Sequence, residues 1–424
     1  MKKLYNYFFG DEFIKNVFKL SSSSIFSSLF IFLTLPFITS IYTVSQLGEY
    51  QLLISIITIF GVVASLKYEM AIVIPRSDVT AMNVYKLCLY ILLIFSLSVG
   101  FILFFLNKIS MVFIKSYAIS NFFLFIPIGI FFFGLFEVIK YGLMRKKLFT
   151  EFSLGRLYQV ISTQLSMIII GLINPNIFSL FFSYILGFII ASSLFLKKSL
   201  ISIKIKSVDS LTKIASKYKK FPIFNSLMVF LNTLSNELPV FFLAQFFSAD
   251  KLGFYMLANR LCVIPMNFIG TAIGKVYFQK ASEIYNNNPE KLFSIYTETT
   301  KRLIFLGTIP FIGIIIFSPI LVEIIFGEDW RVSGLIMQII SIGLFLKFVT
   351  SPIGTTFTVL DKQEIAFYLT LVSLIFRFLF MFYFRHSLVS LLWALTVSTS
   401  IYYMLYHFFT FMILRKISNN NYSK

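Results

Sequence analysis

Apolar runs about as long as a bilayer is thick follow one another through this chain, broken only by short polar segments such as TVSQLGEY, INPNIF, SADKLGF and FGEDWR. Roughly 20 apolar residues in a helix cross the hydrocarbon core. Twelve such runs can be read, at about 20–42, 49–67, 84–106, 119–141, 152–173, 177–196, 222–247, 252–275, 303–326, 332–353, 364–384 and 388–414. Only 13% of residues are charged, 58% are hydrophobic, and the mean hydropathy is +0.86. A soluble domain carries roughly 25% charge. The expectation is an all-α polytopic membrane protein of about twelve transmembrane helices.

The net charge of +19 is best read by where it lies. With the N-terminus inside, 29 of the 37 Lys and Arg fall on the inner side, including Arg145, Lys146, Lys147 and the run from Lys197 to Lys220. Five fall outside, Lys108, Lys115, Lys251, Arg331 and Arg385, and three within spans, Arg260, Lys347 and Arg377. That bias predicts both termini in the cytoplasm. It also makes the basic runs an orientation signal with room for anionic-lipid contact, and argues against nucleic acid as a partner. Residues 1–20 mix charge with aromatics and read as an interfacial amphipathic helix rather than a cleaved signal. Cys88 and Cys262 sit far apart in apolar segments and read as buried small side chains.

The chain divides near its middle. A basic cytoplasmic linker, 197–221, separates an N-terminal bundle of six spans (1–196, with the interfacial helix) from a C-terminal bundle of six (222–424). A second inner segment, 275–302, reads as helix, NNNP break, helix. The halves are related: LPFITSIYTVSQLGEYQLL (35–53) resembles LPVFFLAQFFSADKLGFYMLA (238–258), and Leu47, Gly48 and Tyr50 match Leu252, Gly253 and Tyr255 at one offset of 205. Six-span repeats in the same orientation are related by an axis along the membrane normal, with a substrate site expected between the bundles.

The candidate site residues are the polar ones inside spans, where polarity is costly. Arg260, beside Asn259, lies nine residues beyond Lys251, roughly 13 Å down the helix. Glu237 is expected at similar depth on the preceding span, either as an ion pair tying two helices or as the far wall of a hydrated cavity. Their first-half counterparts are near Ser55 and Thr34, both uncharged, so the charged surface is expected mainly in the second half. Asn225, Asn232 and Asn236 share a helical face with spacings of seven and four, suited to sugar hydroxyls or to bonds between helices. Lys347 and Arg377 are further cationic candidates, Lys347 with a stem able to snorkel. Lys67 and Glu69 read as an inner gate or an interface marker. Arg156, Glu137 and Lys140 read as solvated inner-end positions. Pro36 and Pro239 occupy corresponding places in spans 1 and 7 and read as hinges or tolerated kinks.

Catalysis finds little support. Two histidines, His386 and His407, have no acid near them in sequence, and no nucleotide, zinc or redox motif occurs. No cofactor, metal ligand or catalytic residue is expected, and energy would come from a proton or sodium gradient, from a partner, or from the substrate's own gradient.

Two stretches, LGEYQLLISIITIFGVVASLKYEMAIVIP (47–75) and the segment 221–283 around FYMLANRLCVIP, resemble the polysaccharide (O-antigen type) flippases of the multidrug/oligosaccharidyl-lipid/polysaccharide exporter superfamily. The resemblance implies two six-helix bundles around a cavity that opens to each side in turn in the bacterial inner membrane. It implies an undecaprenyl-pyrophosphate-linked oligosaccharide as substrate, Arg260 as an anion contact, and work beside a polysaccharide polymerase. Two other readings stand beside it. A cation-coupled multidrug exporter would favour acidic cavity residues. A membrane polymerase or acyltransferase would favour a large external loop.

Overall fold

The computed structural model describes residues 12–113, 125–200 and 211–420. Twelve long helices are present among the described residues: α1 (Glu12–Ile41), α2 (Val44–Gly61), α3 (Asp78–Phe113), α4 (Ile126–Arg145), α5 (Phe149–Ile173), α6 (Ile177–Ser199), α7 (Ser226–Phe246), α8 (Ala249–Asn287), α9 (Leu292–Phe326), α10 (Arg331–Thr350), α11 (Gln363–Tyr383) and α12 (Leu388–Asn420). They match the twelve expected spans one for one. Ten segments are long and apolar enough to cross a membrane, and α1 adds the shorter apolar stretch Ile25–Ile41. The interfacial helix expected over 1–20 falls largely on residues 1–11, outside the described residues; from Glu12 the helix runs unbroken into α1.

The second expected span is shifted. It was read over 49–67, whereas α2 begins at Val44 and ends at Gly61. Its early start comes from a capping box. The Thr43 hydroxyl accepts from the Gln46 backbone N–H at 3.3 Å, and Gln46 Oε1 accepts from the Thr43 N–H at 3.0 Å. Its early end comes from Leu66 and Lys67, both left-handed at φ 51° and 59°, which no α-helix accommodates. A 3₁₀ turn, Tyr68–Val73, follows. The helix–NNNP–helix reading holds: α8 ends at Asn287, Pro289–Lys291 form a 3₁₀ turn, and α9 begins at Leu292.

Packing divides the chain into two compact units, Leu29–Gly253 and Met1–Ser28 with Phe254–Lys424. The sequence boundary at 222 assigns α7 to the second bundle; in the structure α7 packs with α2 in the first unit, where Glu237 meets Ser55. The expected linker is partly structured. A helix at Leu211–Lys217 lies against the first unit, with Ile214 and Tyr218 in a core shared with Tyr68, Ile72 and Tyr85. The Tyr68 hydroxyl donates to the Ala215 carbonyl at 3.0 Å.

The second unit is built around Met266, Tyr277, Tyr296, Leu303, Phe311 and Phe348. Near the end of α10 the chain turns through Ser351–Ile353 and a short helix, Thr356–Val359. Two tyrosines pin this turn: the Tyr277 hydroxyl bonds to Thr356 Oγ1 and the Tyr406 hydroxyl to the Gly354 carbonyl, both at 2.6 Å. Pro36 and Pro239 both lie inside continuous helices. Neither ends its helix, and Thr39 donates its hydroxyl to the Leu35 and Pro36 carbonyls at 3.1 and 3.0 Å beside the first. These are the back-bonds a hydroxyl makes to carbonyls three and four residues earlier in its own helix.

Candidate functional site

The first unit gathers ionisable side chains from the turn after α2, from α4 and from α5. Lys67 Nζ sits 3.1 Å from Glu69 Oε1, with side chains 10% and 1% exposed. Ser65 donates to the other Glu69 oxygen at 2.5 Å. The two left-handed residues at 66 and 67 fold the chain back so that this pair turns into the bundle. On α4, Glu137 and Lys140, one turn apart, pair at 2.6 Å and are half-buried. Lys140 also lies over the Phe136 ring at 5.5 Å. On α5, Arg156 donates to Gln159 Oε1 at 2.9 Å, and Gln159 donates on to Thr163 at 3.1 Å. Lys67 and Arg156 are close enough for their charges to act on Glu137. Among the described residues, two ion pairs, Lys67–Glu69 and Lys140–Glu137, thus lie within electrostatic range of a third cation, Arg156.

One expectation is corrected. Glu137 and Lys140, about 7–12 Å in from the end of α4 at 1.5 Å per residue, are half-buried against each other, while Arg156 is exposed, as expected; Lys67 and Glu69 add buried charge to the first half. The i,i+3 pairing of Glu137 with Lys140 was a visible signal; the approach of Arg156 from the next helix was not.

Glu237 lies in this same unit, with its Oε2 2.6 Å from Ser55 Oγ, which also receives a hydrogen bond from Gln51 at 3.2 Å. Ser55 is the position that the internal repeat matches to Arg260. Thr34, matched to Glu237, contacts Gln164 Oε1 at 3.0 Å. Asn232 and Asn236 are exposed on α7, one turn apart, and Asn236 donates to the Asn232 carbonyl at 2.9 Å. Asn225 reaches the Met70 sulfur at 3.6 Å.

A reciprocal close approach lies one to two turns above Ser55. A Cβ on Gly48 would sit 2.0 Å from the Ala249 carbonyl oxygen, and a Cβ on Gly253 would sit 2.1 Å from the Val44 carbonyl oxygen. Val44 and Ala249 differ by 205 in number, as do Gly48 and Gly253. The repeat-mates of one contacting pair therefore form the other contacting pair, as contacts across a two-fold axis require. The short sequence likeness is thus matched by a symmetric backbone crossing.

In the second unit Asn259 and Arg260 are half-buried on α8. Arg377 is only 6% exposed on α11. Its guanidinium donates to Thr399 on α12 at 3.2 Å and lies near Tyr255, Tyr402 and Tyr403. Arg377 therefore belongs to the packed interior between α11 and α12 rather than to an open surface. Arg377→Ala is expected to lower the amount of protein in the membrane while leaving activity per molecule unchanged, measurable by quantitative immunoblot beside a transport assay. Lys347 is half-buried and lines a groove with Lys275.

This arrangement of helices is shared with solved transporters. The lipid II flippase MurJ, in an inward closed conformation, superposes with a TM-score of 0.72 at 15% identity, covering 95% of this chain and 90% of that one. The fold is shared with that transporter. Among sequences, CapF of Staphylococcus aureus, a capsular polysaccharide biosynthesis protein, is 25% identical over 418 residues, covering 93% of this chain and 98% of CapF. TuaB of Bacillus subtilis, a teichuronic acid biosynthesis protein, is 25% identical over 139 residues; the match takes in 32% of this chain and 28% of TuaB. Residues 48–335 match the model of the polysaccharide biosynthesis protein family, and the chain belongs to that family.

Proposed function

We propose that this multi-pass membrane protein flips undecaprenyl-pyrophosphate-linked oligosaccharide units from the inner to the outer leaflet of the bacterial cytoplasmic membrane. The units would serve surface polysaccharide assembly, with both termini of the chain inside and a polymerase acting on the product. The observation that carries this reading is the group of Lys67 and Glu69, in the turn after α2, with Glu137 and Lys140 on α4 and Arg156 on α5, in the first unit of a polysaccharide-biosynthesis family member. Charged side chains in spans face pathways far more often than lipid. A polar, net cationic surface lowers the barrier to a diphosphate headgroup while the prenyl tail stays in lipid. Movement would follow alternating access driven by a proton or sodium gradient, with the Gly48–Gly253 crossing as the outer closure. Anionic lipids would meet the basic inner segments.

The multidrug reading is weaker, because Glu69 and Glu137, the acids added to Glu237, are each matched by a lysine. The polymerase reading calls for a large external loop. The described connections on that side hold two to four residues, and the α3–α4 connection lies partly outside the described residues.

Deleting the gene and labelling lipid-linked sugar tests the proposal. Completed units should accumulate on the cytoplasmic leaflet; accumulation of single units outside would point to the polymerase instead. Arg260→Ala is expected to cut transport at normal membrane levels and Arg260→Lys to retain part of it. Loss of protein in place of activity would make Arg260 structural.

A further inference from the structure

A groove of about 370 Å³ opens in the second unit between α8 and the end of α10. Its α8 wall runs along one helical face, Met266, Gly270, Gly274 and Phe278 at four-residue spacing, with Thr271 and Lys275 beside them. Opposite stand Lys347, Ser351, Pro352 and Thr355. Its lining among the described residues holds two lysines, three hydroxyls and no carboxylate. The two walls are close because α8 presents glycine here: a Cβ on Gly274 would lie 3.2 Å from the Pro352 carbonyl oxygen. The turn bearing Ser351 and Thr355 is the one that Tyr277 and Tyr406 pin, so the hydroxyls are held on a fixed frame.

From this geometry we infer that the groove binds the phosphate or diphosphate group of a lipid. Lys275 and Lys347 supply the charge, and Ser351, exposed at the groove, supplies a hydroxyl. Met266, Phe278 and Phe348 receive the first carbons of the chain. Two ammonium groups with hydroxyls and an apolar margin fit an anionic amphiphile better than a free sugar, which wants amides and stacked rings, or a cationic drug, which wants carboxylates. Both lysines lie toward the basic side of the bundle, where a headgroup loading from the inner leaflet would first meet the protein. Either the transported prenyl diphosphate or an ordinary anionic phospholipid carries this chemistry. The choice of the first as the leading source rests on the flippase reading; the site itself does not.

Native mass spectrometry of the purified full-length protein in micelles tests this, titrating farnesyl diphosphate, inorganic pyrophosphate and dioleoylphosphatidylglycerol separately. The Lys275→Gln/Lys347→Gln pair should weaken the responding lipid by about tenfold or more, the usual loss when charge-assisted contacts go. Lys275→Arg/Lys347→Arg should retain binding, and Ser351→Ala should weaken it less than the lysine pair does. Loss confined to farnesyl diphosphate supports the substrate as source, and loss confined to phosphatidylglycerol supports a structural lipid. Equal binding of every probe by wild type and the glutamine pair overturns the site, as does binding of none by wild type. The leaflet assay described above fails or succeeds independently of either result.

Discussion

Valine at Gly48 is expected to abolish transport while the protein stays in the membrane, and valine at Gly253 should do the same. The new Cβ would meet a backbone carbonyl oxygen at 2.0 or 2.1 Å, well inside contact distance, so the crossing must separate. With the crossing as the outer closure proposed above, such a protein keeps its fold but is held in the opposite state. Two measurements check this together. Leaflet assays should show the cytoplasmic accumulation of the gene deletion. A Gln51→Cys side chain, one turn below the crossing, should gain reactivity toward an impermeant thiol reagent from outside. Gly313→Ala is the control, because nothing lies within 4 Å of its Cβ position and alanine favours a helix by about 1 kcal/mol. A Gly48→Val protein that transports normally would remove the crossing from the mechanism.

The second large effect is expected at Glu69. Its carboxylate is 1% exposed and holds Lys67 and Ser65. Glu69→Ala leaves a buried ammonium without its nearest counter-charge, and breaking one side of a buried pair typically costs about 3–5 kcal/mol. Against total stabilities of about 5–15 kcal/mol, that should remove most of the protein from the membrane. Replacing both partners, Lys67→Met with Glu69→Leu, should restore much of the protein because no charge is then stranded. Thermal melting in detergent of the two single variants and the double gives the coupling directly. If the double variant is as abundant as wild type but does not transport, the pair is needed for passage as well as for the fold.

Span count, helix order and the internal repeat were legible because they rest on strong local signals: apolar length, Pro/Gly punctuation, and the Leu-Gly-x-Tyr turns. The start of α2 was missed by five residues because polar Gln46 and Glu49 looked like loop, when Thr43 and Gln46 cap a helix there. Its end was missed because left-handed turns at Leu66 and Lys67 leave no compositional mark. The candidate site was only half legible. Isolated charges in spans announced themselves, so Arg260, Glu237, Lys67, Glu69 and Arg377 were all picked out. Which of them meet is set by tertiary packing. Arg377 turned out to be sealed among tyrosines, and Arg156 to be part of a cluster, because helix rotation decides which face a residue presents. Lys275 was not singled out because it stands where the expected span, ending at 275, joins the inner helix, whereas α8 runs unbroken to Asn287.

The crossing at Gly48 and Gly253 also limits how its defects can be repaired genetically. At Gly129, also in the first unit, the obstacle is a side chain: a Cβ there would strike the Ile57 Cδ1, so trimming Ile57 to valine offers a remedy. At the crossing the obstacle is main-chain oxygen, which every residue type carries. A suppressor screen begun from Gly48→Ala should therefore recover no compensating change at Ala249, and survivors should map to distant positions that let one whole helix slide or tilt.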